Sequence, residues 1–310
     1  MRGSLYRLPL FLTGGIMYAY LFGQILGTHS FYLKNGFLKP GEYSELSAVY
    51  FLPGGETGSA ATVLSSLGVN VKMDGTHIGT EVAPMLRDFY KDKSVDISSL
   101  YFDPDYKGLM DYVVVADLVR SPMGTFQTLY ESGEKRWNMP KEADIEGCCV
   151  AAIDPFFMEE TEKAAELCVK HNKPYVTIDC AHTEYLHRHS AIDVISKECL
   201  AEHYKGMERE KVYELMAENT DGLVIITAGE KDMIYGRKGQ KLKRMKPFDV
   251  DVKSTLGAGD TFKAACVYGL MNGLSDDELV RFASATSAVA ISRYPLPLKP
   301  PTLEEVKALI

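Results

Sequence analysis

The chain has 310 residues, 46% hydrophobic and 25% charged, the profile of a folded globular protein rather than a disordered or collagen-like one. Its 34 Lys and Arg against 42 Asp and Glu leave a net charge of −8. That balance excludes broad nucleic-acid binding or adhesion to an anionic membrane, though not a small anion held by backbone N–H groups and a metal ion. The six cysteines include the adjacent Cys148 and Cys149 and form no C-x-x-C pair. They read as reduced thiols of a cytoplasmic protein.

In chain order, Met1-Arg2-Gly3-Ser4 reads as a vector-derived leader and is set aside. Leu8–Leu26 carries no charge and follows Arg2 and Arg7, as in a signal peptide or a short membrane span. Pro9, Thr13, Gly14, Gly15, Gly23 and Gln24 interrupt it, so the preferred reading is a buried first strand within Tyr6–Leu12, ending in a Gly-Gly turn. Strand-like and helix-like runs then alternate. Helices are expected at Gly58–Leu67, Val82–Tyr90, Glu160–His171, Lys197–Tyr204, Leu256–Gly273 and Asp276–Ile291. Strands are expected at Val69–Met73, Gly147–Ile153, Pro174–Ile178, Ala191–Ile195, Leu223–Thr227 and Phe248–Val252. Such alternation predicts an α/β fold with a mostly parallel sheet covered on both faces. Two stretches, about 28–52 and 109–137, lack helical periodicity. Asp111–Asp117 and Thr125–Tyr130 read as strands, so both stretches are expected to form an antiparallel lid on one domain spanning 1–310.

The strongest local signal is Ser254-Thr255-Leu256-Gly257-Ala258-Gly259-Asp260-Thr261-Phe262, a glycine-rich turn that feeds a helix. Glycines let a ligand approach the backbone, and free N–H groups with the helix dipole favour an anion there. Asp260 falls in the first turn, where it can accept a proton from a hydroxyl held beside it. An anion site next to a carboxylate is what phosphoryl transfer to an alcohol requires. A weaker signal, Gly54-Gly55-Glu56-Thr57-Gly58-Ser59-Ala60-Ala61, also opens a helix; no Walker A sequence occurs in the chain.

Together, in this order, the two signals resemble the ribokinase-like (PfkB) carbohydrate kinase family. Gly75…Gly79-Thr80-Glu81, Asp193–Glu198, Thr227-Ala228-Gly229 and Pro301–Val306 are similar to further segments of that family. The resemblance implies a three-layer α/β/α sandwich with a small β lid, and transfer of the γ-phosphate of ATP to a hydroxyl of a sugar-like substrate. It implies Asp260 as base and the backbone of Gly257, Ala258 and Gly259 as anion hole. Thr227, Gly229 and Thr255 would line the ATP site, Glu198 would act near Mg²⁺, and the residues around Ala285–Ala288, with Ser287, would border the adenine. Gly54, Gly55, Ser59, Asp154, Asp260 and Tyr18 are the expected substrate contacts. The family's dimer through the lid is the expected assembly.

Three positions depart from the family pattern. Aligning Gly14–Ala19 with the end of the first strand puts Ala19 where the family often has a sugar-binding Asp, with Tyr18 beside it as a candidate stacking platform. Ser59 replaces a substrate-binding Asn. Ser254 replaces an Asp that helps some relatives hold a monovalent cation, which leaves dependence on that cation undecided. These departures keep two other functions in view: a nucleoside kinase of the same family, with Tyr18 against the base, and a catalytically silent regulatory relative. Asp179, Cys180, His182, His187 and His189 have the composition of a metal cluster without its spacing and read as a polar loop after a strand. Arg120 and Lys253 are further candidates for phosphate contact.

Overall fold

Runs of four apolar residues with no amphipathic alternation can only be satisfied between two covering layers. The chain supplies such runs repeatedly. The computed structural model describes residues 17–117 and 119–310. It opens with β1 (Ala19–Gly23), then β2 (Leu26–Leu33), β3 (Leu46–Gly54) and α1 (Gly55–Ser66). Next come β4 (Val71–Gly75), β5 (Ile78–Gly79), α2 (Ala83–Tyr90), β6 (Val95–Asp96) and β7 (Phe102–Asp103). After them follow β8 (Met110–Ala116), β9 (Val119–Gly124), α3 (Phe126–Glu131) and α4 (Glu142–Gly147). The central part is β10 (Val150–Ile153), α5 (Glu159–Lys170), β11 (Tyr175–Ile178), α6 (Tyr185–His189), β12 (Ile192–Ile195) and α7 (Lys197–His203). The last part holds α8 (Arg209–Glu218), β13 (Leu223–Ile226), β14 (Met233–Gly236), β15 (Lys243–Met245), α9 (Ala258–Met271), α10 (Asp276–Ile291) and α11 (Leu303–Leu309).

Among the described residues, nine strands form the main sheet in the order β15-β14-β13-β12-β11-β10-β1-β4-β6. The strands from β13 to β6 run parallel; β14 and β15 are antiparallel at the edge. Side chains alternate between faces with period two. Ala19, Leu21, Val150 and Ala152 join the core under α1, α2, α9 and α10. Tyr20, Phe22, Ala151 and Ile153 pack against α5 on the opposite face, and Val224 and Ile226 against α8. Ser275 and Glu278 close a reciprocal cap on α10, which fixes where that helix starts.

A second sheet, β3-β2-β8-β9, forms the lid. Its outer pairings are antiparallel and its central β2–β8 pairing is parallel. Tyr32, Val113 and Val115 form a small core of their own, against which Leu256 and Tyr294 of the main body pack.

Two expectations change, and a third lies outside the described residues. The first described strand is Ala19–Gly23; Tyr6–Leu12 lies outside the described residues. Thr125–Tyr130 is not a strand: residues 126–131 form α3. Its Leu129 and Tyr130 pack on the aromatic cluster around Trp137, and this tertiary contact overrides the local β-preference of Thr and aromatic residues. Phe248–Val252 forms no strand and pairs with none among the described residues; it leads to α10, where the N–H groups of Lys253 and Ser254 donate to Ile291 O. No helix among the described residues is long and apolar enough to cross a membrane.

Candidate active site

The site is built at the carboxyl ends of β1 and β10, where ligands collect in parallel α/β sheets. The two strands run in register, Phe22 beside Ile153, and the Asp154 N–H donates to Phe22 O at 2.9 Å. The Asp154 carboxyl then folds over Gly23. A Cβ on Gly23 would stand 1.9 Å from Asp154 Oδ2, so only glycine fits there. Next, α1 docks above: Thr57 N–H donates to Gln24 O at 3.0 Å, and Thr57 Oγ1 to Asp154 Oδ2 at 2.8 Å. The other carboxylate oxygen of Asp154 holds the ammonium of Lys263 from α9. Both residues are 0% exposed. Asp154 was expected as a substrate contact, but its carboxylate is committed to the protein instead.

Gly257 opens α9 with φ of 79°, a left-handed conformation that disfavours any side chain. The first turn leaves the N–H groups of Gly259 and Asp260 without intrahelical acceptors. The Ala258 N–H turns to Thr255 O at 3.3 Å, while those of Gly257, Gly259 and Asp260 have no backbone acceptor among the described residues. A Cβ on Gly259 would meet nothing within 4 Å, so the space over this helix end is free for an anion.

Asp260 sits half-buried in that turn. Burial pushes its carboxyl up to about 6, while Lys263, Arg120 of β9 and a hydrogen bond from Ser59 hold it down. Ser59 thus stands near enough to Asp260 to help hold its carboxyl down. Burial, with Asp260 and Asp154 nearby, pushes Glu56 up to about 8, and its Oε2 is buried without a partner among the described residues. Glu56 is thus largely protonated at neutral pH and can donate a hydrogen bond. Gln24 Nε2 donates to Tyr130 OH at 2.5 Å, which draws α3 over the same pocket. A side chain on Gly54 would overlap Thr28 Oγ1, and one on Gly55 the carbonyl of Gln24, so this doublet lets the lid and β1 close against α1.

Thr227 follows β13 and donates from Oγ1 to Ile195 O at 3.2 Å. A Cβ on Gly229 would meet nothing within 4 Å. Thr255 is exposed, and Ser287 Oγ donates to Ala258 O at 3.2 Å, bracing the α9 turn. Ala285 and Ala288 do not border an open site; both are buried, because that face of α10 packs on α9. Glu198 is exposed in the first turn of α7 and raises the pKa of nearby Asp179, a shift due first to burial. Asp179 accepts from Ser196 N at 2.6 Å and Ser196 Oγ at 3.0 Å. His182 meets Tyr204 OH, and His187 is buried against Asp193, so these histidines have separate partners. No group of three or more His, Cys, Asp or Glu able to hold a metal occurs among the described residues.

Tyr18 is misplaced as a substrate contact. It precedes β1, at the amino edge of the sheet, and donates to Asp144 O at 2.7 Å. A five-residue strand, roughly 17 Å, separates it from the carboxyl edge. Ala19 likewise begins β1, and the residue that follows the strand is Gln24. Gln24, Glu56, Tyr130 and Lys263 were not singled out by their sequence context. One signal for Lys263 was present: a lysine three residues after Asp260 in a helix otherwise apolar on nearly all sides.

Residues 21–297 match the pfkB family carbohydrate kinase profile. The chain belongs to this family. The 5-dehydro-2-deoxygluconokinase of Bacillus licheniformis is 30% identical to this family member over 105 residues, 34% of this chain and 32% of that one. The Bacillus thuringiensis protein of the same name is 34% identical over 88 residues, 28% of this chain and 26% of the other. These matches span about a third or less of either length. The Arabidopsis thaliana ribokinase complexed with ribose and ATP superposes with a TM-score of 0.78 at 17% identity, over 95% of this chain and 99% of that one. A Burkholderia thailandensis nucleoside kinase in complex with inosine gives 0.71 at 16% identity, over 94% and 96%. At such identities the likeness carries the ribokinase-like fold.

Proposed function

We propose that this pfkB-family chain is an ATP-dependent kinase that phosphorylates a hydroxyl of a sugar or sugar-like alcohol. The observation that carries it is the amino end of α9: an open anion-binding turn with a half-buried carboxylate in that same turn. The acceptor hydroxyl would lie beside Asp260, which takes its proton as the new O–P bond forms and the bond from the γ-phosphorus to ADP breaks. The N–H groups of Gly259 and Asp260 face the charge on the transferring oxygens. Thr227, Gly229 and Thr255 fit the nucleotide side, where the open space above Gly229 admits a ligand against backbone. Mg²⁺ bound with the nucleotide would neutralise charge between its phosphates, with Glu198 near it through water. Arg120, carried by the lid, lowers the pKa of Asp260 and would meet a phosphate there.

Two rivals have lost ground. The nucleoside-kinase reading rested on Tyr18, which stands at the wrong edge of the sheet. The silent-regulator reading rested partly on Ser59, which lies beside Asp260 and lowers its pKa. A cytoplasmic homodimer is part of the proposal: the lid exposes Leu46, Val49, Tyr112, Val119 and Met123, apolar side chains that a second lid would cover. ADP formation with Mg²⁺ and ATP over a panel of aldoses, ketoses, keto-deoxy sugar acids and nucleosides tests the function. Turnover is expected with a sugar-type acceptor. Turnover with nucleosides alone would transfer the assignment to the nucleoside kinases, and ATP binding without turnover on any alcohol would support a regulator.

A further inference from the structure

The main body buries one ammonium where a helix of this kind needs none. Lys263 lies on α9 one turn beyond Asp260, fully buried, and its only ion-pair partner among the described residues is Asp154. A buried lysine is costly unless it is paired, and Asp154 supplies the pairing from the end of β10 under Gly23. The surroundings are otherwise acidic. Glu56 reaches in from α1, Asp154 from β10 and Asp260 from α9; Arg120 of β9 is the second cation felt by Asp260, and Tyr130 of α3 faces Glu56 and Asp154. Three acids therefore share one fully buried cation, and that cation lies three residues from the base on the same helical face.

We propose that Lys263, clamped by Asp154, is a positioning residue that sets the protonation of Asp260 and with it the pH at which the chain transfers phosphate. This inference rests on Asp260 being the base. The two partners act on Asp260 with opposite sign, which separates electrostatics from damage to the fold. Removing the ammonium with Lys263→Met leaves the Asp154 carboxylate unopposed and makes Asp260 harder to ionise. Removing the neighbouring anion with Asp154→Asn makes it easier to ionise. Lys263→Met with Asp154→Asn restores the net charge.

The test is the acid limb of kcat/KM against pH for the full chain with ATP, Mg²⁺ and whichever acceptor the panel identifies. The limb is expected to move up by about one pH unit in Lys263→Met and down in Asp154→Asn, and to return near its starting position in the double variant. If Lys263→Met does not fold, Asp154→Asn and the double variant still decide, since they differ only in the ammonium. Lys263→Arg, which keeps the charge, is expected to hold the limb in place even if turnover falls. A limb that stays fixed, or that moves the same way in both single variants, overturns the inference while Asp260→Asn is inactive. An active Asp260→Asn overturns the base assignment and this inference with it.

Discussion

At the residue scale, the site turns on a carboxyl whose neighbours compete over its proton. Burial raises Asp260 to about 6, and Lys263, Arg120 and Ser59 oppose the rise. The base works ionised, so kcat/KM is expected to climb as pH rises through about 6 and then level off; a profile flat from pH 5 to 8 would contradict this. Ser59→Ala is expected to move the acid limb upward and so to lower kcat/KM at pH 6. Steady-state kinetics across pH checks both effects. The sequence showed Asp260 and the glycines around it because their chemistry is local: a turn, a helix start and an acid within four positions. Lys263, Asp154 and Glu56 were not legible as one group, because three separate elements, α9, the end of β10 and α1, deliver them.

At the element scale, the first turn of α9 depends on backbone shape. Gly257 has φ of 79°, and a Cβ there would stand 2.5 Å from Leu296 Cδ2. Gly257→Ala is expected to weaken ATP binding and to lower stability by about 1–3 kcal/mol, which isothermal titration and denaturant unfolding would measure. Unchanged values for both would show that the turn is not the anion site. The lid is the other element with a consequence of its own. Tyr112 is 40% exposed on β8 and stacks on His29 at 5.2 Å between ring centroids. Tyr112→Glu is expected to shift a dimer toward monomer in sedimentation analysis. The parallel strands were readable from their short apolar runs, and α10 from its apolar stripe and acidic first turn. α3 was not, because Thr, Phe and Tyr favour strands locally and only the contact with Trp137 and its neighbours makes that segment helical.

At the scale of the whole molecule, the acidic site carries a stability cost that depends on pH. Asp260 and Glu56 bind protons more tightly in the folded chain, at about 6 and about 8, than carboxyls do in an unfolded one, near 4. Between about pH 4 and 8 the folded state thus holds more protons, and this contribution to stability falls as pH rises. Glu56→Gln removes the larger part of it. Its gain in Tm is expected to be greater at pH 8.5 than at pH 5, and an equal gain at both would contradict the assignment. The net charge of −8 is consistent with a polyphosphate ligand because the attraction is local, coming from helix-end N–H groups and two cations beside Asp260 rather than from the surface as a whole. The most direct measurement of the central claim is acceptor-dependent ADP formation by Asp260→Asn, made alongside its ATP affinity. The account predicts ATP affinity within a few-fold of the parent chain and a loss of turnover of at least about a thousandfold; turnover within tenfold of the parent would contradict it.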